Sequence, residues 1–262
     1  MIIKLDIPQK ANLLFDHWNE TIIWSCLQGI MGEIYADNGE RPMSAMAVLG
    51  DFCFLAGVPN RDLVLYRPDC CHDEVIMVPQ NDIWSGLIES CYGTKAEKIT
   101  RHAIKKEPDV FNQSKLRQAA LSLPPGFTIR MIDEDLYNMC KSNAWSRDLV
   151  SQYPDYGMYE RLGLGVVALK DGQPVSGASS YTAYQEGIEI EIDTREEYRR
   201  MGLAYACGAR LILECLARGI YPSWDAHNLE SAALAEKLGY HYDRPYTAFL
   251  IHPRACLKII YP

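Results

Sequence analysis

The chain has 262 residues, of which 48% are hydrophobic and 23% are charged. This composition is typical of a globular protein with a substantial core and excludes a disordered chain. The 26 Lys and Arg and the 34 Asp and Glu residues give a net charge of -8, which argues against a nucleic-acid partner because phosphates are bound by basic surfaces. The same charge favours a cationic small-molecule substrate through electrostatic steering.

The cysteines and the N-terminus predict the compartment. Nine cysteines, an odd number, are scattered along the chain, and the opening MIIKLDIPQK lacks the apolar segment of a signal peptide. No apolar run approaches membrane-spanning length. The sequence therefore predicts a cytoplasmic protein with reduced thiols and no membrane contact. The cluster Cys70-Cys71-His72 lacks the usual spacing of metal ligands, so we predict no metal.

Residues 1–123 are predicted to form a smaller α+β domain. Its segment Glu33–Val48 resembles Val166–Ser179, because each reads as a strand, a turn with Asp and Gly, and a second strand with Pro and small residues. Hairpins look alike because turn chemistry is stereotyped. Chance similarity and a degenerate copy of the second half therefore both explain the pattern. We predict a structural or substrate-shaping role for this half.

The segment LSLPPG, residues 121–126, marks the predicted boundary, because its prolines and glycine cannot continue a helix. Residues 124–262 form the second predicted domain. Its pattern predicts, in chain order, a strand at Phe127–Ile132, helices to about Met158, a hairpin turning at Asp171-Gly172, a strand at Ile188–Ile192, a helix from about Leu203 to Arg218, a strand at Tyr221–Asp225, a helix from Asn228 to Gly239, and strands at 240–252 and 256–262.

The strand predicted at Ile188–Ile192 alternates strictly between apolar and acidic side chains. Successive strand residues point to opposite faces, so one face carries Ile188, Ile190 and Ile192 and the other carries Glu189, Glu191 and Asp193. The isoleucines are expected to pack against helices. The carboxylates are expected to line the opposite face, where a cleft would lie.

The turn that follows this strand, Thr194–Ala204, has the composition of an anion site. Gly202 and Ala204 open the helix, and small residues there let a ligand approach the backbone closely. The first turn of a helix has unpaired N–H groups and a partial positive charge. Arg199 and Arg200 add formal charge. The turn therefore predicts a pyrophosphate-binding pocket.

These residues resemble a known family. Arg199-x-x-Gly202-x-Ala204 matches the (Arg/Gln)-x-x-Gly-x-(Gly/Ala) signature of the GNAT acyltransferase superfamily. WDAHNLESAALAEKLGYH, residues 224–241, resembles the next motif of that superfamily, and FTIRMIDEDL, residues 127–136, resembles its first strand and helix. The resemblance covers about half of the chain. It points to a subgroup of longer, two-domain bacterial members, some of them linked to resistance against amine-bearing antibiotics.

The resemblance implies an α/β GNAT fold with a mixed, mostly antiparallel sheet flanked by helices. It implies acetyl-CoA as cosubstrate, a small-molecule primary amine as acceptor, and direct attack in a ternary complex. The alternative is a non-catalytic GNAT-fold module that binds CoA or serves as an interaction surface. The sequence leaves the oligomeric state open, with a homodimer among the options.

The resemblance also implies the binding residues. The pyrophosphate would sit on the amides of residues 199–204, the pantetheine arm would pair with the strand edge at residues 192–194, and Asn228 would hydrogen-bond the arm. The expected acetyl-CoA-binding residues are Ile192, Asp193, Thr194, Arg199, Arg200, Met201, Gly202, Leu203, Ala204, Asn228 and Ser231.

Catalysis requires a group that takes the proton of the attacking amine. Glu191 is the preferred base and Glu189 the alternative, although the polar face of a strand is often merely solvated. His227 and Asp225 are second candidates. Many members of the superfamily carry a tyrosine acid where this sequence has Ala235. The acid would then be Tyr240, Tyr242 or a water molecule, or none is needed.

Overall fold

The computed structural model describes residues 1–68 and 74–252. Two sequence features, the Cys70-Cys71-His72 cluster and the strand predicted at 256–262, lie outside the described residues. Within the described residues, the chain divides into two compact units, residues 1–100 together with 247–252, and residues 101–246. Two strands, β6 (Ala96–Ile104) and β13 (Tyr242–Ile251), contribute residues to both units.

The first unit contains a sheet whose strands follow the order β1-β2-β3-β4-β5-β13. Its further elements are β1 (Ile3–Lys4), α1 (Thr21–Gln28), β2 (Glu33–Ala36), β3 (Ser44–Leu49), β4 (Phe52–Gly57), α2 (Arg61–Leu65), β5 (Val75–Pro79) and α3 (Asp82–Tyr92). Strands β2 and β3 form the hairpin predicted at residues 33–48, with Glu33 opposite Val48. Met46, Leu55 and Trp84 are fully buried in its core.

The second unit contains a five-stranded sheet of order β11-β10-β9-β8-β7. Its elements are α4 (Gln113–Leu121), β7 (Phe127–Met131), α5 (Glu134–Ser142), α6 (Tyr156–Leu162), β8 (Gly165–Lys170), β9 (Gln173–Tyr184), β10 (Gly187–Thr194), α7 (Leu203–Ala217), β11 (Tyr221–Ser223), β12 (Asp225–Ala226) and α8 (Leu229–Leu238). Strands β7 to β10 pair antiparallel, and β11 joins β10 in parallel. This is the mixed, mostly antiparallel sheet that the sequence predicts.

Local chemistry sets the ends of these elements. The carboxylates of Asp133 and Asp155 accept backbone N–H groups at the starts of α5 and α6. Gly239 closes α8 in the left-handed conformation. Asp171 and Gly172 both have positive φ at the β8–β9 turn, which is the geometry of a tight hairpin.

Helical segments cover both faces of the five-stranded sheet. Ile192 on β10 points to α7, since its Cδ1 lies 3.2 Å from where a side chain on Gly208 would begin. On the other face, Gly177 of β9 lies against Leu149 in the short 3-10 helix Arg147–Leu149. The isoleucine face of β10 therefore packs against a helix, as the alternation predicts.

The division of the chain differs from the predicted domains 1–123 and 124–262. Helix α4 packs against α7, so residues 101–123 group with the second unit. The end of β13 pairs with β5, with Phe249 opposite Met77, so residues 247–252 group with the first unit. A proline-rich segment stops a helix, but tertiary packing decides which unit that helix joins.

The prediction of one strand at Tyr221–Asp225 is wrong. The chain forms β11 beside β10 and then, after Trp224, forms β12, which pairs antiparallel with β6. The segment thus changes its pairing partner within five residues, which an alternation pattern alone cannot show.

Candidate functional site

Strand β10 loses one neighbour halfway along its length. Its parallel register with β11 covers Gly187–Glu189 only, whereas its antiparallel register with β9 continues to Thr194. The chain after Ser223 turns away to pair with β6 as β12. The strands therefore separate beyond Glu189, and this separation defines the candidate site.

The amides of β10 alternate between the two edges of the strand. The N–H of Arg195 donates to Val175 O on β9 at 3.0 Å, so the N–H groups of Ile192 and Thr194 point to the opposite edge, where the strands separate. The Thr194 N–H donates to its neighbour's carboxylate, Asp193 Oδ1, at 2.6 Å. The Thr194 amide is therefore engaged within the strand end, whereas the Ile192 amide faces the separation between the strands.

The turn after β10 prepares the start of α7. Gly202 is the N-cap residue with φ 81°, and no side chain caps the first turn. A Cβ at Gly202 would meet nothing within 4 Å, so the space beside this backbone is open. The first intrahelical bond runs from Ala206 N–H to Gly202 O. The amides of Leu203 and Ala204 thus lie at the positive end of a 15-residue helix.

The two arginines of the turn have different surroundings. Arg199 turns back to β10, where its Nε donates to Thr194 O at 3.2 Å. Arg200 has positive φ, and its side chain is 87% exposed, with its guanidinium 3.4 Å from Glu230. Leu203 is buried and Met201 is 41% exposed. Leu203 can therefore offer only its backbone to a ligand, whereas Arg200 can offer a charge that is exposed to solvent.

The three carboxylates of β10 also differ. Glu189 is 7% exposed in the part of the sheet that β11 still covers, and its charge helps raise the pKa of the buried Tyr184 hydroxyl, after burial itself. Glu191 is partly exposed beyond the separation. Partial burial raises the pKa of Asp193. The hydrogen bond from the Thr194 N–H and the charge of Arg199 act in the opposite direction, whereas the charge of Asp148 adds to the rise.

Asp225 is engaged in an ion pair and does not fit the role of a base. Its Oδ1 accepts from Arg101 at 2.7 and 2.6 Å, and its Oδ2 accepts from the Tyr246 hydroxyl at 2.9 Å. His227, between β12 and α8, is exposed. Of these two second candidates, only His227 has a side chain open to solvent.

Asn228 and Ser231 form the start of α8. The Asn228 Oδ1 accepts the Ser231 N–H at 2.9 Å, and the Ser231 hydroxyl accepts the Trp224 Nε1–H at 3.1 Å. The Asn228 side chain can still donate through its amide NH2 group. Both residues therefore position the segment beside the separated strands, in addition to their predicted contact with a ligand.

No acid stands at the position where the superfamily carries a tyrosine. Ala235 is fully buried. Tyr240 is also buried, and its hydroxyl donates to Pro222 O at 2.6 Å. The Tyr242 hydroxyl lies 3.1 Å from His102 Nδ1. Both tyrosines thus have hydrogen-bond partners within the fold.

Sequence reasoning missed two residues that shape the site. Arg101, on β6, holds Asp225 from 124 positions away in the chain, and no motif predicts such a pair. Ser176, on β9, has its hydroxyl 2.7 Å from the Thr194 hydroxyl. Only the register of β9 against β10 brings these two side chains together.

Comparison with known proteins identifies the family. The model of the GNAT acetyltransferase family matches residues 12–249. The chain belongs to the GNAT acetyltransferase family. The match extends the resemblance seen in the sequence into the N-terminal half, which the motifs did not reach.

Two proteins are similar over almost the whole chain. A GCN5-related N-acetyltransferase-like protein from Streptococcus suis 89/1591, known from its crystal structure, is 51% identical with a TM-score of 0.86, over 92% of this chain and 97% of that one. An uncharacterised N-acetyltransferase of Bacillus subtilis (strain 168), YdfB, is 29% identical over 95% of this chain and 97% of its own.

A third likeness concerns the fold alone. A tandem GNAT protein from the clavulanic acid biosynthesis pathway is 9% identical, with a TM-score of 0.55 over 95% of this chain and 97% of that one.

Within residues 1–68 and 74–252, no helix is long and apolar enough to cross a membrane. The same residues contain no group of three or more His, Cys, Asp or Glu that could hold a metal ion.

Proposed function

We propose that the protein transfers the acetyl group of acetyl-CoA to a primary amine of a small molecule, in the cytoplasm, by direct attack in a ternary complex. One observation carries the proposal. The uncapped start of α7, with Gly202 in the left-handed conformation, comes one short turn after β10, the strand that β11 no longer pairs with beyond Glu189. An open strand edge and an anion site thus follow each other along the chain. The amide groups of the pantetheine arm require the strand edge, and the pyrophosphate requires the anion site.

The residues that would hold acetyl-CoA follow from this arrangement. The amides at residues 202–204 and the exposed Arg200 would bind the pyrophosphate. The outward edge of β10 at Ile192, together with the Asn228 amide, would bind the pantetheine arm. Acetyl-CoA supplies an activated acyl group when bound, and the Ile192 N–H would stabilise negative charge on the acyl oxygen.

Proton transfer would belong to Glu191. This carboxylate is partly exposed and lies beyond the point where β10 and β11 separate, so an amine or a bridging water can reach it. Glu189 is buried where the strands are still paired. With Ala235 in place of a tyrosine, we propose that the departing thiolate takes its proton from water.

The test is calorimetric titration with acetyl-CoA. Gly202→Glu should weaken binding by about tenfold or more, because it places a carboxylate and a strained backbone at the anion site. Gly219→Glu is the matched control, since Gly219 also has positive φ with nothing within 4 Å but follows the other end of α7. Binding that is absent in the wild type, or equal in all three proteins, would contradict the proposed donor site.

The rival function is a binding module without catalysis, which Ala235 favours. A screen of small amines, amino acids and aminoglycosides for release of the CoA thiol separates the two. Acceptor-dependent thiol release supports the enzyme. Tight binding of acetyl-CoA with no release above hydrolysis, across the whole screen, supports the module.

A further inference from the structure

Three side chains from three strands meet where the chain leaves the five-stranded sheet. Arg101 of β6 donates through Nε and an Nη to Asp225 Oδ1 of β12, at 2.7 and 2.6 Å. The hydroxyl of Tyr246 on β13 donates to the other oxygen of this carboxylate, at 2.9 Å. All three residues belong to the second unit. The carboxylate is therefore held from two neighbouring strands.

This cluster is shielded from solvent, unlike an ordinary surface ion pair. Only 9% of the Arg101 side chain and 14% of the Asp225 side chain are exposed. Burial by itself would lower the pKa of Arg101, but Asp225 and the Tyr246 hydroxyl raise it above its usual range. Removing one partner of such a pair leaves a buried charge without compensation, so the position of β12 depends on the pair remaining intact.

Backbone pairing is too short to hold β12 by itself. The strand pairs with β6 at only two positions, Asp225 opposite Ala103 and Ala226 opposite His102. Just before it, β11 pairs in parallel with β10 through three residues, ending with Ser223 opposite Glu189. Strands this short are marginal unless side chains fix them. The side-chain contacts of Asp225 therefore decide whether this segment pairs with β6 or continues beside β10.

We propose that Arg101, Asp225 and Tyr246 are positioning residues that draw β12 onto β6 and so keep the edge of β10 beyond Glu189 open for acetyl-CoA. The inference rests on the proposed function, because it concerns the same coenzyme site. When the pair is broken, the segment after Trp224 is free to continue alongside β10. The fraction of molecules with an open edge then falls, and the apparent dissociation constant for acetyl-CoA rises as the inverse of that fraction.

Two variants test the proposal at different strengths. Asp225→Asn keeps the shape but removes the charge, and should weaken CoA binding in calorimetry by about tenfold. Tyr246→Phe removes one hydrogen bond and should weaken it a few-fold. Tyr221→Phe is the matched control. The Tyr221 hydroxyl accepts the Glu107 N–H at 3.0 Å, and the residue lies on the same stretch of chain, before the segment changes its strand partner. This variant should bind CoA as the wild type does.

Kinetics distinguish positioning from a general loss of folded protein. A positioning role raises KM for acetyl-CoA, leaving KM for the amine and kcat nearly unchanged. Loss of folded protein lowers the apparent kcat and leaves both KM values in place. Hydrogen exchange of residues 224–226, measured without coenzyme, should become faster in Asp225→Asn, because the segment loses its anchor.

The outcomes also separate this inference from the proposed function. If the wild type binds CoA and both variants bind it equally well, the inference is overturned. If the variants lose only apparent kcat, it is also overturned. If the wild type does not bind CoA, yet exchange at residues 224–226 rises in Asp225→Asn, the strand anchor is supported and the proposed function is contradicted.

Discussion

At the residue scale, the fold gives different surroundings to two carboxylates that the alternation pattern places on the same face of one strand. Glu189 and Glu191 share one face of β10, two residues apart. Glu189 lies opposite Ser223 in the paired part of the sheet and is buried, whereas Glu191 follows the separation and is partly exposed. A proton acceptor must be reached by the amine or by a water molecule, so exposure selects Glu191.

This difference yields a paired prediction. Glu191→Gln should lower kcat/KM for the amine about a hundredfold, because the amide keeps the shape but cannot take a proton. Its affinity for acetyl-CoA should stay within a factor of two or so, since the donor site is untouched. Steady-state kinetics and calorimetry measure the two effects.

Glu189→Gln is the matched control for this prediction. It should change the melting temperature more than the rate, because the Glu189 carboxylate is buried. Full activity of Glu191→Gln would remove Glu191 as the base. A larger rate loss in Glu189→Gln would transfer the role to the buried carboxylate.

At the scale of elements, α7 carries the start of the site and lies close to its neighbours at one glycine. A side chain at Gly208 would begin 2.9 Å from Leu238 Cδ1 on α8 and 3.2 Å from Ile192 Cδ1 on β10. Helix α7, strand β10 and helix α8 thus meet at Gly208. A larger residue there would displace β10 at the residue whose amide faces the candidate site.

Two helical glycines permit a matched prediction of stability. Gly208→Leu should destabilise the protein by about 1–3 kcal/mol through overpacking. Gly86→Ala, in α3, should stabilise it by about 0.5–1 kcal/mol, because Gly86 is exposed and has nothing within 4 Å of a new Cβ. Denaturant unfolding measures both, and a gain in stability for Gly208→Leu would show that the contact at this glycine is not tight.

At the scale of the whole molecule, the net charge of -8 bears on the acceptor. A negative protein attracts a cation, and salt screens that attraction over a distance of about 10 Å at 0.1 M. The charge does not identify the amine, but it makes the encounter rate depend on ionic strength.

The consequence can be measured on any acceptor found in the screen. For a cationic amine, kcat/KM should fall several-fold between roughly 0.02 and 0.5 M salt, with kcat almost constant. An acceptor with a compensating carboxylate, such as an amino acid, should show a weaker dependence. Equal salt dependence for both would mean that the overall charge does not steer the substrate.

The sequence alone was sufficient for the family, for most elements of the second half and for the turn at Gly202, because alternation, capping and glycine chemistry are local properties of the chain. Tertiary structure decided the rest. The split of the segment Tyr221–Ala226 between two strand neighbours, the engagement of Asp225 by Arg101 and the division of the chain into units depend on residues far apart in the chain. Only the folded backbone brings such groups within hydrogen-bonding distance, so no local pattern could have shown them.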